Sequence, residues 1–384
     1  MQLKFNPDGR FRIMQIADIQ DTQVTSKDTI EFIAAALDKD KPDLVVFTGD
    51  QIKGYGINLL LGDRYKKTRS AITNFVKPVV DRNIPFTFVF GNHDAQAFGI
   101  DKEEQLEIYR SFNGCLTDAG DRELPGLANH NLTVADSKGE KTVFNIYLID
   151  SLSTTVDGKC AAVTPQQIDW YKKTRDALKY ENNGEYIKSL VFQHIPLCEM
   201  WELFTEVPKS RKPHATGYRS HYGKYYWIND EYLHKGNCDF TLETPATPAD
   251  NLGEFDALRE KGDIIGVFCG HDHNNSFVGE YKGLVMGYTQ GCGFNVYGPK
   301  LDRGVRIIDL DEHDLSTFKT YTTLYKDLFE FKDIKNKPKF LFYSYAPPSV
   351  ESVMPFLKKA AVSVGVTLIT AGITLAVKNK NKKK

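Results

Sequence analysis

The chain has 384 residues, 41% hydrophobic and 26% charged, with a net charge of −1. That length admits one large domain or two ordinary ones, and the composition excludes collagen-like, disordered and disulfide-scaffold classes. Residues 355–384 hold seven Lys and no acid, so the body before them carries −8 against the overall −1, which argues against a general nucleic-acid binder.

The opening MQLKFNPDGR has no apolar core of the kind a signal peptide needs. Apolar runs then predict strands at 11–17, 44–48, 86–90, 143–149, 190–193, 264–269, 284–288 and 305–310. Most are continuous Val, Ile, Leu and Phe, the pattern of strands buried on both faces. Between them, 28–38 predicts a helix behind Thr25 and Ser26, with Ile30, Ile33, Ala34 and Leu37 on one face. A second helix is predicted over 166–178, where Thr164-Pro165 supplies a cap and a first-turn proline. Strands alternating with helices predict an α/β fold. Segment 199–251 is aromatic and polar and reads as an insertion or lid on a body spanning 1–331. Residues 332–355, broken by Pro and Lys, read as a linker, and 356–384 as a hydrophobic segment with a basic tail. The six Cys, at 115, 160, 198, 238, 269 and 292, form no CxxC pair and read as reduced intracellular thiols.

Five strands run into polar clusters: Asp18-Ile19-Gln20, Gly49-Asp50, Gly91-Asn92-His93-Asp94, His194, and Gly270-His271-Asp272-His273. Ligands of open α/β sheets bind beyond the carboxyl ends of strands. Taken singly, Gly49-Asp50 reads as a turn, Gly91-Asn92-His93-Asp94 as a capped loop and His194 as a satisfied core histidine, whereas His271 and His273, two apart on an extended segment, point the same way and are harder to dismiss. Together they describe a cage of oxygen and imidazole donors without thiolate, which suits Mn²⁺, Fe or Zn²⁺. Asp150, ending another strand, reads as closing a turn. Gly291-Cys292-Gly293 permits close backbone approach near the cage.

This order of motifs resembles the calcineurin-like metallophosphoesterase superfamily, purple-acid-phosphatase-like branch, over residues 10–312. The resemblance implies two mixed β-sheets face to face with helices outside. It implies that Asp18 and His273 hold a first metal, that Asp50 bridges, and that Asn92, His194 and His271 hold the second. His93 would face the substrate, with Asp94 orienting it. The activity implied is hydrolysis of phosphoric esters, a dinuclear site activating a bridging hydroxide. A phosphomonoesterase acting on a phosphorylated small molecule or phosphoprotein is expected. The alternatives are a phosphodiesterase on cyclic nucleotides or lipid head groups, and a non-catalytic binding protein that kept the fold.

The sequence departs from the branch at two positions. Gln20 stands where the branch has His, either as a weak oxygen ligand or as a hydrogen-bonding neighbour. The first site is therefore expected to favour a harder ion, Mn²⁺. Lys53 stands where the purple enzymes carry the Fe³⁺-binding Tyr, so no purple centre is expected. Arg219 and His221 are weaker candidates for substrate contacts, with Arg211 and His214 nearby, against a solvated aromatic lid that touches no substrate. Residues 360–377 carry no charge and are flanked by Lys. They are expected to form a hydrophobic helix anchoring a cytoplasm-facing body to an intracellular membrane. The greater number of Lys after the segment opposes that orientation, and the alternative is a soluble cytoplasmic protein with a terminal helix.

Overall fold

The computed structural model describes residues 2–55, 62–97, 99–155, 158–217, 221–236 and 240–347. A five-stranded sheet runs in the order Asp314–Leu324, Gly304–Asp311, Arg10–Ile16, Leu44–Thr48, Phe86–Val89. Its last three strands are parallel, and Gly304–Asp311 pairs antiparallel with both neighbours. An eight-stranded sheet runs Leu3–Lys4, His130–Ala135, Thr142–Leu148, Lys188–Phe192, Ile264–Cys269, Leu284–Tyr288, Asn275–Tyr281, Phe240–Thr241. Its centre, from Thr142–Leu148 to Leu284–Tyr288, is parallel.

The period-two geometry of a strand explains why apolar runs build this fold. Phe11, Ile13, Leu44, Val46 and Val89 from one sheet meet Phe144, Ile146, Leu190, Phe192 and Phe268 from the other in one buried cluster. Their chain neighbours Met14, Ile16, Val45, Phe47, Phe86 and Phe88 point the opposite way. They pack under helices Lys27–Asp40, Arg64–Val80 and Lys102–Arg110. On the larger sheet Tyr147, Val191 and Val267 point outward, under Pro165–Glu181 and Glu254–Arg259. Each such side chain contributes about 1.5–3 kcal/mol by leaving water. Thr164 caps Pro165–Glu181 in a reciprocal box with Gln167. Ser26 stands at the N-cap of Lys27–Asp40 but makes no side-chain cap bond.

Segment 199–251 folds into a small antiparallel sheet, Phe204–Glu206, Tyr225–Ile228 and Ala215–Thr216. It returns to the body through the edge strand Phe240–Thr241. Strands His130–Ala135, Asn275–Tyr281 and Asp314–Leu324 were not predicted from apolar runs. All three pair antiparallel and mix polar residues among apolar ones. Within 332–355, read as a linker, Lys337–Tyr345 is a helix, held by the buried Phe340. The hydrophobic segment 360–377 lies outside the described residues. Among the described residues, no helix is long and apolar enough to cross a membrane.

Candidate metal centre

The candidate ligands leave the carboxyl ends of strands. Asp18 and Gln20 follow Arg10–Ile16, and Asp50 follows Leu44–Thr48. Asn92 follows Phe86–Val89, His194 follows Lys188–Phe192, and His271 and His273 follow Ile264–Cys269. Asp18 (φ 54°), Gln20 (39°), Asp50 (55°) and His271 (79°) all take left-handed backbone. Such conformations cost about 1 kcal/mol or more each in non-glycine residues and persist where the surroundings over-determine them. Close packing also sets two glycines. A Cβ on Gly49 would stand 2.5 Å from His194 Nδ1, and one on Gly91 would strike the Asp50 carboxylate and backbone nitrogen.

Asp50, His194 and His271 bring donor atoms within 4.8 Å of one another, as do Asp18, Asp50 and His273. Asp50 is common to both groups. Asn92 Oδ1 lies 3.1 Å from His194 Nε2 and joins the first of them. Ring orientations follow from the outer nitrogens. His194 Nδ1 meets the Thr48 carbonyl at 2.9 Å, and His273 Nδ1 meets the Tyr297 carbonyl at 2.8 Å. A ring that donates from Nδ1 keeps its Nε2 lone pair for a cation. The Tyr297 ring also stacks on His273 at 4.1 Å and 8°. His271 is turned the other way. Its Nδ1 faces His194 Nε2 at 3.2 Å, and its Nε2 lies 3.6 Å from the Cys160 thiol.

The donors fit divalent cations. Asp18 Oδ1 is buried and accepts no hydrogen bond, an expense for a carboxylate that a cation removes. Asp50 is pulled up by burial, but facing His194, His93 and His271 overcome this and hold it well below the usual carboxylate range. Burial lowers His194, yet Asp50, 3.4 Å away, and Asp18 lift it to about 10. The carboxylates thus demand positive charge at the centre, which a cation supplies in place of imidazole protons.

A family description of calcineurin-like phosphoesterases matches residues 11–275. The chain belongs to this calcineurin-like phosphoesterase family. It is 28% identical over 344 residues to "Probable inactive purple acid phosphatase 14" of Arabidopsis thaliana, covering 80% of this chain and 77% of that one. It is 24% identical over 368 residues to "Phosphatase DCR2" of Saccharomyces cerevisiae, covering 87% of this chain and 57% of that one. Among solved structures, a dimetal phosphatase from Danio rerio superposes with a TM-score of 0.48 at 12% identity, covering 81% of this chain and 98% of that one.

In this calcineurin-like phosphoesterase, His93 stands at the rim, partly exposed, with Nε2 3.8 Å from Asp50 Oδ2. Asp94 does not orient it. The Asp94 carboxylate is buried and occupied by backbone, accepting from Asp50 N, Gly91 N and Ile52 N at 2.8–3.0 Å. It therefore ties two loops of the centre together, and burial beside Asp50 pushes it up to about 7. Gln96 takes the orienting position, its Oε1 2.7 Å from His93 Nδ1. Gln20 turns its amino group inward, 2.9 Å from Asp50 Oδ2 and 3.1 Å from His273 Nε2. Its oxygen faces outward to the Tyr55 hydroxyl, so the arrangement is that of a hydrogen-bonding neighbour. Lys53 Nζ lies 5.1 Å from the rings of both Tyr55 and Tyr343, away from the donors.

His221 is held inside the insertion, stacked on Trp201 at 4.3 Å with Nδ1 2.9 Å from the Tyr226 hydroxyl. Arg219 lies outside the described residues. His214 Nδ1 meets the Arg211 carbonyl. Asp150 closes its turn by accepting from Leu127 N and Leu152 N, and pairs with Lys102. Gly291 bridges to Ala17, bringing the glycine pair beside the centre. Tyr55, Gln96, Cys160, Tyr297 and Glu243 were not singled out in the sequence. Only Gln96, three residues from His93 in one turn, carried a local signal. Glu243 comes from the stem of the insertion, accepting from Asn274 N and the Tyr297 hydroxyl.

Proposed function

We propose that this phosphoesterase hydrolyses phosphoric monoesters at a two-cation centre. The observation that carries the reading is the pair of donor groups sharing Asp50, with His93 beside them at the rim. Asp50, Asn92, His194 and His271 would hold one cation, and Asp18, His273 and Asp50 the other. Bound there, two divalent cations would neutralise phosphate oxygens and acidify a water between them. The chain's own residues do the rest. His93, facing the open side, donates a proton to the leaving oxygen or a hydrogen bond to the phosphoryl group. Gln96 accepts from Nδ1 and fixes the orientation of the ring, leaving Nε2 toward the open side. Asp94 holds the Asp50 and Asn92 loops at constant separation through three backbone bonds. Mn²⁺ is favoured at the Asp18 site, whose donors are richer in oxygen, with Fe or Zn²⁺ as the other candidates.

Two observations favour a second reading, that of a non-catalytic binding protein. The Gln20 amino group lies against two donors of the Asp18 site, and Arabidopsis relatives carry names containing "inactive". The two readings separate in one experiment. Metal content is measured beside turnover of aryl phosphate monoesters and diesters with Mn²⁺, Zn²⁺ and Fe²⁺. Turnover of monoesters with about two metal equivalents supports hydrolysis. Metal binding without turnover of any ester supports the second reading.

A further inference from the structure

We propose that the exposed face of helix Lys337–Tyr345 is a docking surface for an anionic lipid bilayer. Pro338, Leu341, Phe342 and Tyr345 follow the spacing i, i+3, i+4, i+7, a stripe along one helix face. That stripe faces water: Leu341 is 44% exposed, Phe342 69% and Tyr345 71%. The opposite face holds the helix to the body. Phe340 is buried in the main core, and Tyr343 stands beside Lys53. An ordinary surface helix shows its polar side to solvent; this one is seated by Phe340 and carries an aromatic stripe that no other described residue covers.

Charge selects the partner. The helix, KPKFLFYSY, has two Lys and no acid. Lys300 sits 4.6 Å from the Tyr345 ring, extending the basic rim. Lys332 and Lys335 are paired with Glu330 and Glu31, whereas Lys300, Lys337 and Lys339 form no ion pair among the described residues. Aromatic side chains with lysines beside them match the headgroup depth of an anionic leaflet, where rings sit among acyl boundaries and ammonium groups meet phosphates. Farther along the chain, 360–377 is a second charge-free stretch flanked by Lys. Were that stretch to meet the bilayer as well, the two contacts would reinforce each other through effective concentration.

The test uses the full chain carrying Phe342→Trp, against the unsubstituted chain with its three native Trp. Vesicles of phosphatidylcholine with about one-third phosphatidylserine are added. The introduced indole should shift its emission to the blue and be quenched by brominated acyl chains. The double change Lys337→Glu and Lys339→Glu should weaken partition to these vesicles about tenfold or more. So should Leu341→Ser with Tyr345→Ser, at an unchanged melting temperature. Three outcomes overturn the proposal. Vesicle binding without quenching of the new indole would place the contact elsewhere, in 360–377. A blue-shifted indole before lipid is added would mean the stripe is covered by the chain's own tail or a second copy. Absence of the chain from floated vesicles would remove the surface altogether.

Discussion

The Tyr55 hydroxyl donates to Gln20 Oε1 at 3.0 Å while the Tyr55 ring packs 4.5 Å from the ring of His93. Burial first, then Asp50 and Tyr343, raise the Tyr55 phenol well above its ordinary value. It therefore stays protonated and donates. That donation decides which end of the Gln20 amide faces the centre, since an amide oxygen engaged outward sends its NH₂ inward. Tyr55 thus couples the Asp18 site to the rim residue His93.

From this coupling, Gln20→His should convert a hydrogen-bonding neighbour into a nitrogen ligand. Cation affinity of the Asp18 site should rise by about tenfold or more, with preference moving from Mn²⁺ toward Zn²⁺ or Fe. Calorimetric titration of metal-free protein with each ion measures it. Unchanged affinity and preference would mean that position 20 does not reach the cation.

Asp50→Asn should abolish tight binding at both sites at once. The two donor groups share Asp50, and two cations close together need shared negative charge. Elemental analysis after dialysis should find fewer metal equivalents, and monoester turnover should fall to background. Retention of two equivalents with full turnover would overturn the shared-carboxylate arrangement.

His93 and Gln96 are separable. His93→Ala should lower kcat by about 10²–10⁴ with metal content unchanged, and the loss should shrink for esters with acidic leaving groups. Gln96→Ala leaves the imidazole in place but frees Nδ1. It should cost less, about tenfold, with metal content unchanged. Loss of metal in His93→Ala would instead make His93 a ligand.

The parts of this molecule readable in the sequence are those where one local pattern suffices. Strands buried on both faces announce themselves as apolar runs, so Leu44–Thr48, Ile264–Cys269 and Leu284–Tyr288 match their predicted bounds. Asp314–Leu324, an edge strand with Ser, Thr and Lys among its apolar residues, has one face in water and gives no such run. The candidate donors were legible because each lies within a few residues of the end of an apolar strand. Their supports were not, because Tyr297, Glu243 and Cys160 reach the centre through loops distant in sequence. Asp94 misled for a related reason. Adjacency to His93 suggested a side-chain partner, whereas the turn aims its carboxylate at three backbone N–H groups, which burial rewards more strongly than an exposed imidazole.

Away from the centre, Glu254 sets a pH limit on stability. It opens helix Glu254–Arg259, is 9% exposed, and its Oε1 has no hydrogen-bond partner. Burial first, then Glu199, raise it from 4.5 to about 8, with Gln193 opposing. Below 4.5 the side chain is protonated in both folded and unfolded chains, so its contribution is fully present. Between 4.5 and 8 the unfolded chain releases the proton while the folded one retains it, so stability falls as pH rises. Above 8 both are ionised and the loss, on the order of a few kcal/mol, is complete. Glu254→Gln is neutral at every pH and escapes this loss. In thermal melts at fixed metal concentration it should exceed the parent by roughly 3–6 °C near pH 9, with most of the gain gone near pH 5. An equal gain at both pH values would show that packing, and not ionisation of Glu254, separates the two proteins.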